Sequence, residues 1–353
     1  MSKENLAHLN TNTLIGHTDQ RGTAWHYRAE HQGEEPNHYP GPIPVFDVHR
    51  RLFNWHAQSC KLAVQRPTTI QKMTHLDEEH RPARWVQIPD KQAITRSDTG
   101  HVMGIFSPGY LMHAYDEWLL NTVAKILYND LSISSAGLLK NGAIAWVEVS
   151  VPKTIHTPEG FDFRPNLLAT TSFDGSIATT FKRTITAVVC DNTRAAALGE
   201  QGGDYKVKHS RYSHARLAQA RAALLVVHQL ADDFTTEIRH LTRMDVTTRQ
   251  WDTFLDLLIP STDQKGHPLT GRAKTTAQDK KETIDHLYKH DPRAEPWTGT
   301  ALGVLQAVNT YDHHHSHIRG TTRAERNMLR TVKGDFDAAD RSALLTLSLV
   351  LQA

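Results

Sequence analysis

The sequence has few cysteines and no long apolar run, and both absences limit what the protein can be. Only Cys60 and Cys190 occur in 353 residues, which excludes a disulfide-stabilised secreted domain and suits a reducing compartment. No stretch approaches the roughly 18 apolar residues of a membrane-spanning helix, and the polar N-terminus lacks the apolar core of a signal peptide. We therefore expect a cytoplasmic protein that does not contact a membrane.

Most sequence motifs of catalysis are also missing. The chain contains no G-x-x-x-x-G-K-[ST] phosphate loop, no G-x-G-x-x-G, no paired C-x-x-C, no G-x-S-x-G and no H-E-x-x-H. These absences argue against ATPases, Rossmann enzymes, zinc ribbons and zincins. The sequence predicts no catalytic residues, no metal site and no cofactor, so a binding protein is favoured over an enzyme.

Overall charge does not identify a partner. The chain has 40 Lys and Arg against 38 Asp and Glu, a formal net charge of +2. A polyanion therefore cannot be attracted by the whole surface, and a nucleic-acid site requires local clustering of cations. The hydrophobic content of 39% is sufficient for a globular core.

Hairpin patterns predict an antiparallel sheet. Gly-ended polar turns separate short apolar runs, and Lys140-Asn141-Gly142 supplies the positive φ angles of a tight turn. Along the last strand, Thr180, Lys182, Thr184 and Thr186 alternate with apolar residues, which predicts that their face lies in water. The expected hairpins join residues 93–96 to 102–106, 132–139 to 143–151, and 166–172 to 177–189.

Apolar residues at helical spacing predict several helices. One contains Leu119 and Val123, and a long amphipathic helix from about Ser213 to Leu241 is expected to pack on the sheet. Further helices are expected over residues 251–259, 298–311, from Thr322, and 337–351. The predicted fold is α+β, divided into an irregular N-terminal arm (1–45), an α+β core (46–260), a mobile loop (261–281) and a helical C-terminal part (282–353).

One segment without acidic residues combines cations with rings. It lies between Tyr205 and Ala231. Cations hold phosphates while aromatic and imidazole rings stack on exposed bases, as single-strand binding requires. The candidate nucleic-acid-binding residues of this basic segment are Lys206, Lys208, His209, Arg211, Tyr212, Arg216 and Arg221. A solvent-exposed first turn of a helix would show the same pattern without any ligand.

A second cluster is spaced as one stripe of a helix. We call Arg319, Arg323, Arg326, Arg330 and Lys333 the arginine stripe. Arg323, Arg326 and Arg330 are candidate phosphate contacts, and Lys182, Arg183 and Arg194 could extend the same surface. The alternative is a solvent-facing helix that only keeps the protein soluble.

The histidine run His313, His314, His315 and His317 offers imidazole ligands for a transition metal. Consecutive histidines point in different directions on a regular backbone, whereas a metal site needs converging ligands. The run is therefore expected to be exposed and without a metal.

Five short segments, taken in order, resemble phage and plasmid proteins that contain domain of unknown function 932. The segments are Trp25-His26 and residues 94–100, 135–142, 173–176 and 188–193. The similarity continues through residues 209–221 and into 298–313. The resemblance implies a gene carried by a phage, prophage or conjugative plasmid in a bacterial host, and it implies no particular activity.

The expected sheet followed by a long amphipathic helix also resembles the core of single-strand annealing proteins, an analogy at the level of fold alone. The sequence thus favours a non-enzymatic, homo-oligomeric protein that binds or anneals single-stranded DNA in recombination or replication. Two alternatives stay open. One is a protein-binding module that inhibits a host defence factor, and the other is a metal-dependent enzyme acting on nucleic acid.

Overall fold

The computed structural model describes residues 12–17, 35–66, 84–124, 131–151, 153–187, 192–195, 204–210 and 227–352. The strands are β1 Thr13–Ile15, β2 Ala57–Arg66, β3 Arg84–Arg96, β4 Val102–Phe106, β5 Ser132–Leu139, β6 Ile144–Ser150, β7 Ile155–His156, β8 Asp162–Ser172, β9 Thr179–Ala187, β10 Asn192–Ala195 and β11 Asp204–Val207. Within these residues they form one eight-stranded and one three-stranded sheet. All strand pairs in both sheets are antiparallel, and the fold is α+β.

The larger sheet has the order β1-β5-β6-β8-β9-β10, with β7 beside β8 and β11 beside β9. Two predicted hairpins, β5–β6 and β8–β9, form its centre. At the first turn, φ is 55° at Asn141 and 92° at Gly142. The left-handed backbone that the Asn-Gly pair predicted is therefore present.

The three-stranded sheet contains the remaining predicted hairpin, β3–β4, so the three hairpins do not share one sheet. Its third strand, β2, and the first part of β3 were not predicted. The segment from residue 57 to residue 92 lacks a regular alternation, and a bulge inserts residues 89–91 into β3 opposite the step from Lys61 to Leu62.

The irregular N-terminal arm lies mostly outside the described residues. Its described part is more regular than predicted, because β1 pairs with β5 through residues 13–15. The backbone N–H of His17 donates to the carbonyl of Gly41 (2.9 Å), and this connection precedes the first helix.

The helices are α1 Val45–Leu52, α2 Asn121–Ala124, α3 Val227–Arg243, α4 Thr248–Leu258, α5 Gly271–His290, α6 Ala301–Thr310, α7 Arg323–Lys333 and α8 Asp335–Gln352. π-Helical turns, Asp116–Leu120 and Tyr311–His315, precede α2 and follow α6. The expected long helix is present in its described part as α3, which packs Phe234 against Phe163 of β8. Thr322 begins α7 as predicted, since its hydroxyl accepts a hydrogen bond from the Glu325 N–H (3.0 Å).

The prediction of a mobile loop over residues 261–281 was wrong for its second half, which forms the first turns of α5. Ala, Lys, Gln and Glu are strong helix formers, but the early turns of α5 are exposed and carry no apolar stripe. The helix is anchored from its other end, where Ile284, Leu287 and Tyr288 are buried.

Two large hydrophobic clusters form the core. One lies between the larger sheet, α1 and the Asp116–Leu120 turn, and the other lies among α3, α4, α5, α6 and α8. A smaller cluster packs α7 on the sheet through Val332 and Trp146. In the described part of the chain, no helix is long and apolar enough to cross a bilayer.

The threonine and lysine face of β9 is buried, which corrects the prediction that it lies in water. Thr180, Lys182, Thr184 and Thr186 all have at most 9% of their surface exposed. Helices α7 and α8 cover this side of the sheet. Strand alternation identifies the two faces of β9, but a polar face can be buried when hydrogen bonds and ion pairs satisfy it.

Candidate nucleic-acid interface

A cleft of about 320 Å³ lies where β9 and β11 meet the junction of α7 and α8. Three lysines from distant parts of the chain line it: Lys182, Lys206 and Lys333. Thr180 and Lys182 lie on one face of β9, and Lys206 is the register partner of Thr180. The strand pairing therefore directs both lysines to the same face, while Lys333 ends the helix above them. We call this site the lysine cleft.

Lys182 forms the buried part of the lysine cleft. Only 4% of its surface is exposed, and its ammonium group forms an ion pair with the Asp337 carboxylate. Its Nζ also donates to the carbonyl oxygen of Thr331 (3.4 Å). The sequence interpretation of Lys182 as a direct phosphate contact is therefore wrong, because an internal carboxylate already holds its charge.

The junction of α7 and α8 borders the same cleft through Gly334 and Asp335. Gly334 ends α7 with a φ of 80°, and the first hydrogen bond of α8 runs from the Ala338 N–H to the Gly334 carbonyl (3.1 Å). The amides of residues 335–337 therefore lie at the positive end of the helix dipole. Asp335, exposed at the rim, opposes an anion there.

Lys206 and Lys208 are both exposed, at and just beyond β11. Lys206 lines the cleft, and Lys208 follows two residues later along the chain. The other cations and the tyrosine of the basic segment, Arg211, Tyr212, Arg216 and Arg221, lie outside the described residues.

His209 belongs to an internal stack of rings, so the prediction that it stacks on a base was wrong. Its ring faces contact Tyr110 (4.9 Å between centroids) and His113 (3.9 Å). Its Nδ1–H donates to the Leu111 carbonyl (3.0 Å), and burial lowers the pKa of its imidazole. The stacked rings include Phe106, Tyr110, His209, His113 and Trp118.

Arg183 does not line the lysine cleft. It follows Lys182 on β9 and is half-buried, and alternation places it on the opposite face of the sheet. The expectation that Arg183 extends the surface of Lys182 was therefore wrong. Arg194 lies in β10 and pairs with Ile185 of β9 in the strand register, and its part in a nucleic-acid surface stays a prediction.

The arginine stripe contacts the π-helical turn Tyr311–His315 instead of forming an open basic surface. Arg323 donates to the carbonyl of His313 (3.2 Å), and Arg326 donates to the carbonyl of Asp312 (2.8 Å). Carbonyls at a helical C-terminus lack intrahelical donors, so these arginines cap the turn. Desolvation by burial lowers the pKa of both guanidinium groups.

Arg330 makes equivalent internal contacts one turn further along α7. Its guanidinium lies 3.7 Å from an Asp312 carboxylate oxygen and 4.2 Å from the centre of the Phe336 ring. Arg323, Arg326 and Arg330 are all half-buried. These internal contacts occupy part of each guanidinium, and phosphate binding by the three arginines stays a prediction. Lys333 is the member of the stripe that lines the lysine cleft.

The histidine run does not converge on a metal site. His313 is buried and stacks on Phe336 (3.8 Å between centroids), whereas His315 and His317 are exposed. Over the part of the chain that the structure describes, no group of three or more His, Cys, Asp or Glu side chains is arranged to hold a metal ion.

Several residues at and beside the lysine cleft have no strong sequence signal. Gly334, Asp335 and Asp337 lie just after the predicted α7, and only their position at the start of another helix indicates a role. Residues 176–178, the turn before β9, also line the lysine cleft. Their contribution depends on the packing of α7 over the sheet, which no local pattern specifies.

The chain is an α+β protein whose larger antiparallel sheet carries a lysine-lined cleft beneath two helices. A family model described as Domain of unknown function (DUF932) matches residues 102–333, and the chain belongs to this family. The match runs from β4 to the end of α7, so it includes all three lysines of the cleft. No curated protein and no solved structure matches the chain.

Proposed function

We propose that this protein binds single-stranded nucleic acid without catalysing a reaction, in the recombination or replication of phage or plasmid DNA. The observation that carries the proposal is that Lys206 and Lys333, distant in sequence, line one cleft above the buried ion pair of Lys182 and Asp337. Lysines that are distant in sequence but adjacent in the fold are a feature of phosphate-binding surfaces.

The lysine cleft suits one phosphate group of a strand. The ammonium groups of Lys206 and Lys333 would contact the phosphate, and the amides at the start of α8 would add backbone donors. Lys182 would act indirectly, because its ion pair with Asp337 holds α8 against β9. An adjacent phosphate would then meet Lys208, which is exposed just beyond β11. Such contacts do not depend on base sequence.

Titration of a fluorescently labelled oligothymidylate at several salt concentrations tests the proposal. We expect binding that weakens steeply with salt, because phosphate contacts release counterions. The variant Lys206→Ala with Lys333→Ala should reduce the slope of log K against log salt by about 1.4, since each contact on a single strand contributes about 0.7.

A matched control removes the same charge elsewhere. Lys265 and Lys274 are exposed near the start of α5, away from the lysine cleft, and their double alanine variant should leave the slope unchanged. Absence of salt-dependent binding by the natural chain, or an equal change in both double variants, would contradict the proposal. Capture of an acidic protein in place of DNA would favour the protein-binding alternative.

A further inference from the structure

Strands β2 and β3 continue as a two-stranded ribbon beyond the part that pairs with β4. Strand β4 pairs only with β3 residues from Gln92 to Thr95, whereas β2 pairs with β3 along the whole ribbon. Alternate residues of β2 and their register partners on β3 form one face of the ribbon. Ala63 pairs with Gln87, and Gln65 pairs with Trp85. We call this surface the tryptophan face: Lys61, Ala63, Gln65, Trp85 and Gln87.

Every residue of the tryptophan face is exposed. Trp85 is 65% exposed, so a large part of its indole ring is open to solvent. Gln65 lies opposite Trp85 and Gln87 lies two residues further along β3, and amide side chains both donate and accept hydrogen bonds. The next register pair toward the end of the ribbon is Arg66 with Arg84. An aromatic ring beside amides and cations is the combination that binds bases together with their phosphates.

The charge of the ribbon favours an anionic partner. The paired segments 57–66 and 84–92 contain four Lys and Arg residues and one carboxylate, Asp90. The three other carboxylates of the hairpin are residues 77–79, in the connecting segment outside the described residues. Local clustering of cations attracts a phosphate backbone even when the net charge of the chain is small.

The tryptophan face is connected to the basic segment by a chain of contacts. Gln92 of β3 donates from Nε2 to the carbonyl of Tyr110 (3.4 Å). The Tyr110 ring stacks on His209 (4.9 Å between centroids), and His209 directly follows Lys208. Trp85 lies about 14 Å from Gln92 along the ribbon, because their register partners on β2 are four residues apart. The tryptophan face is therefore close enough to the basic segment for one strand to contact both.

We propose that Trp85 stacks on an unpaired base and that the tryptophan face makes the protein select single strands over duplex. This inference rests on the proposed nucleic-acid binding, and it adds a contact that the lysine cleft does not supply. Lysines bind the phosphates of single strands and duplexes alike. The faces of bases are covered by their neighbours in a duplex and are open in a single strand, so only the single strand offers a surface to the indole ring.

Affinities for labelled oligothymidylate and for a duplex of the same length, measured at one salt concentration, test this selectivity. Trp85→Ala should weaken binding to the oligothymidylate about 5- to 150-fold, the effect of removing one base-stacking ring, and should leave the duplex affinity unchanged. Trp85→Tyr should retain most of the binding, because a phenol ring also stacks. The matched control is Phe46→Ala, which should bind like the natural chain, since Phe46 of α1 is 70% exposed but lies outside the tryptophan face.

An abasic oligonucleotide of the same length separates stacking from an effect on the fold. It keeps the phosphates and lacks the bases, so the natural chain and Trp85→Ala should bind it equally and with the same dependence on salt. Circular dichroism establishes that the variants are folded.

Equal oligothymidylate affinities of the natural chain and Trp85→Ala overturn this inference alone, provided that Lys206→Ala with Lys333→Ala still reduces the salt slope. An equal loss of affinity for the oligothymidylate, the duplex and the abasic strand also overturns it, because Trp85 would then act on the fold. Absence of salt-dependent binding by the natural chain overturns the proposed function as well. Unchanged DNA affinities of Trp85→Ala, together with loss of a protein that co-purifies with the natural chain, overturn the inference in favour of a protein partner.

Discussion

Lys182 of β9 and Asp337 of α8 form an ion pair in which both side chains are buried. The pair joins the larger sheet to the last helix and lies directly under the lysine cleft. Each charge has lost its hydration, so each depends on the other for its electrostatic stabilisation. This relationship makes the pair a structural support of the cleft.

Removal of one partner should therefore destabilise the fold. For Lys182→Ala we expect a loss of about 3–5 kcal/mol in the free energy of unfolding, because Asp337 would remain buried without its counter-charge. Urea denaturation measures this value. The control Lys265→Ala removes an exposed lysine from the segment before α5 and should change the free energy by less than about 0.5 kcal/mol. Equal effects of the two variants would contradict the assigned role of the ion pair.

Acidification should weaken the fold through His209. Burial lowers the pKa of its imidazole in the folded chain below the usual value of 6.5. Below pH 6.5 the His209 imidazole is therefore protonated more readily in the unfolded chain than in the folded chain. The free energy of unfolding then decreases as the pH falls. The free energies of unfolding of the natural chain and His209→Gln, measured from neutral to mildly acidic pH, should show a smaller decrease for the variant. The same decrease in both chains would exclude this origin.

Gly303 should not tolerate a side chain, although alanine normally favours a helix by about 1 kcal/mol over glycine. At the start of α6, a Cβ atom on Gly303 would lie 2.6 Å from the carbonyl carbon of Trp297, a backbone atom that cannot rotate away. Gly303→Ala should therefore lower the melting temperature. The control Gly109→Ala places a Cβ where nothing lies within 4 Å, and its melting temperature should be unchanged. An unchanged or raised melting temperature for Gly303→Ala would show that the turn before α6 can relax.

The arginine stripe should affect stability and leave DNA affinity unchanged. Arg326→Ala removes the donor to the Asp312 carbonyl and should cost about 1.5–3 kcal/mol in unfolding free energy, the range of a charged hydrogen bond. Its salt dependence of oligonucleotide binding should equal that of the natural chain. Arg319 is exposed, so Arg319→Ala is the matched control for stability. A reduced salt slope for Arg326→Ala would instead support contact with phosphate.

The basic clusters show how far the candidate site could be predicted. Composition and spacing identified Lys182, Lys206 and the arginine stripe as cations that could act together. In the structure, Lys182, Lys206 and Lys333 line one cleft. Arg323 and Arg326 instead donate hydrogen bonds to carbonyls of the turn Tyr311–His315. Helical spacing places residues on one side of α7, and it contains no information about whether that side meets solvent, a ligand or a neighbouring turn.

The sequence by itself determined the features that arise from neighbouring residues. Asn141 and Gly142 specify a tight turn because their backbones tolerate positive φ, and Thr322 begins α7 because its hydroxyl satisfies a free amide. Only the tertiary structure decided that helices α7 and α8 cover the polar face of β9. Burial depends on which distant elements pack together, and the sum of many weak contacts over the whole chain decides that packing.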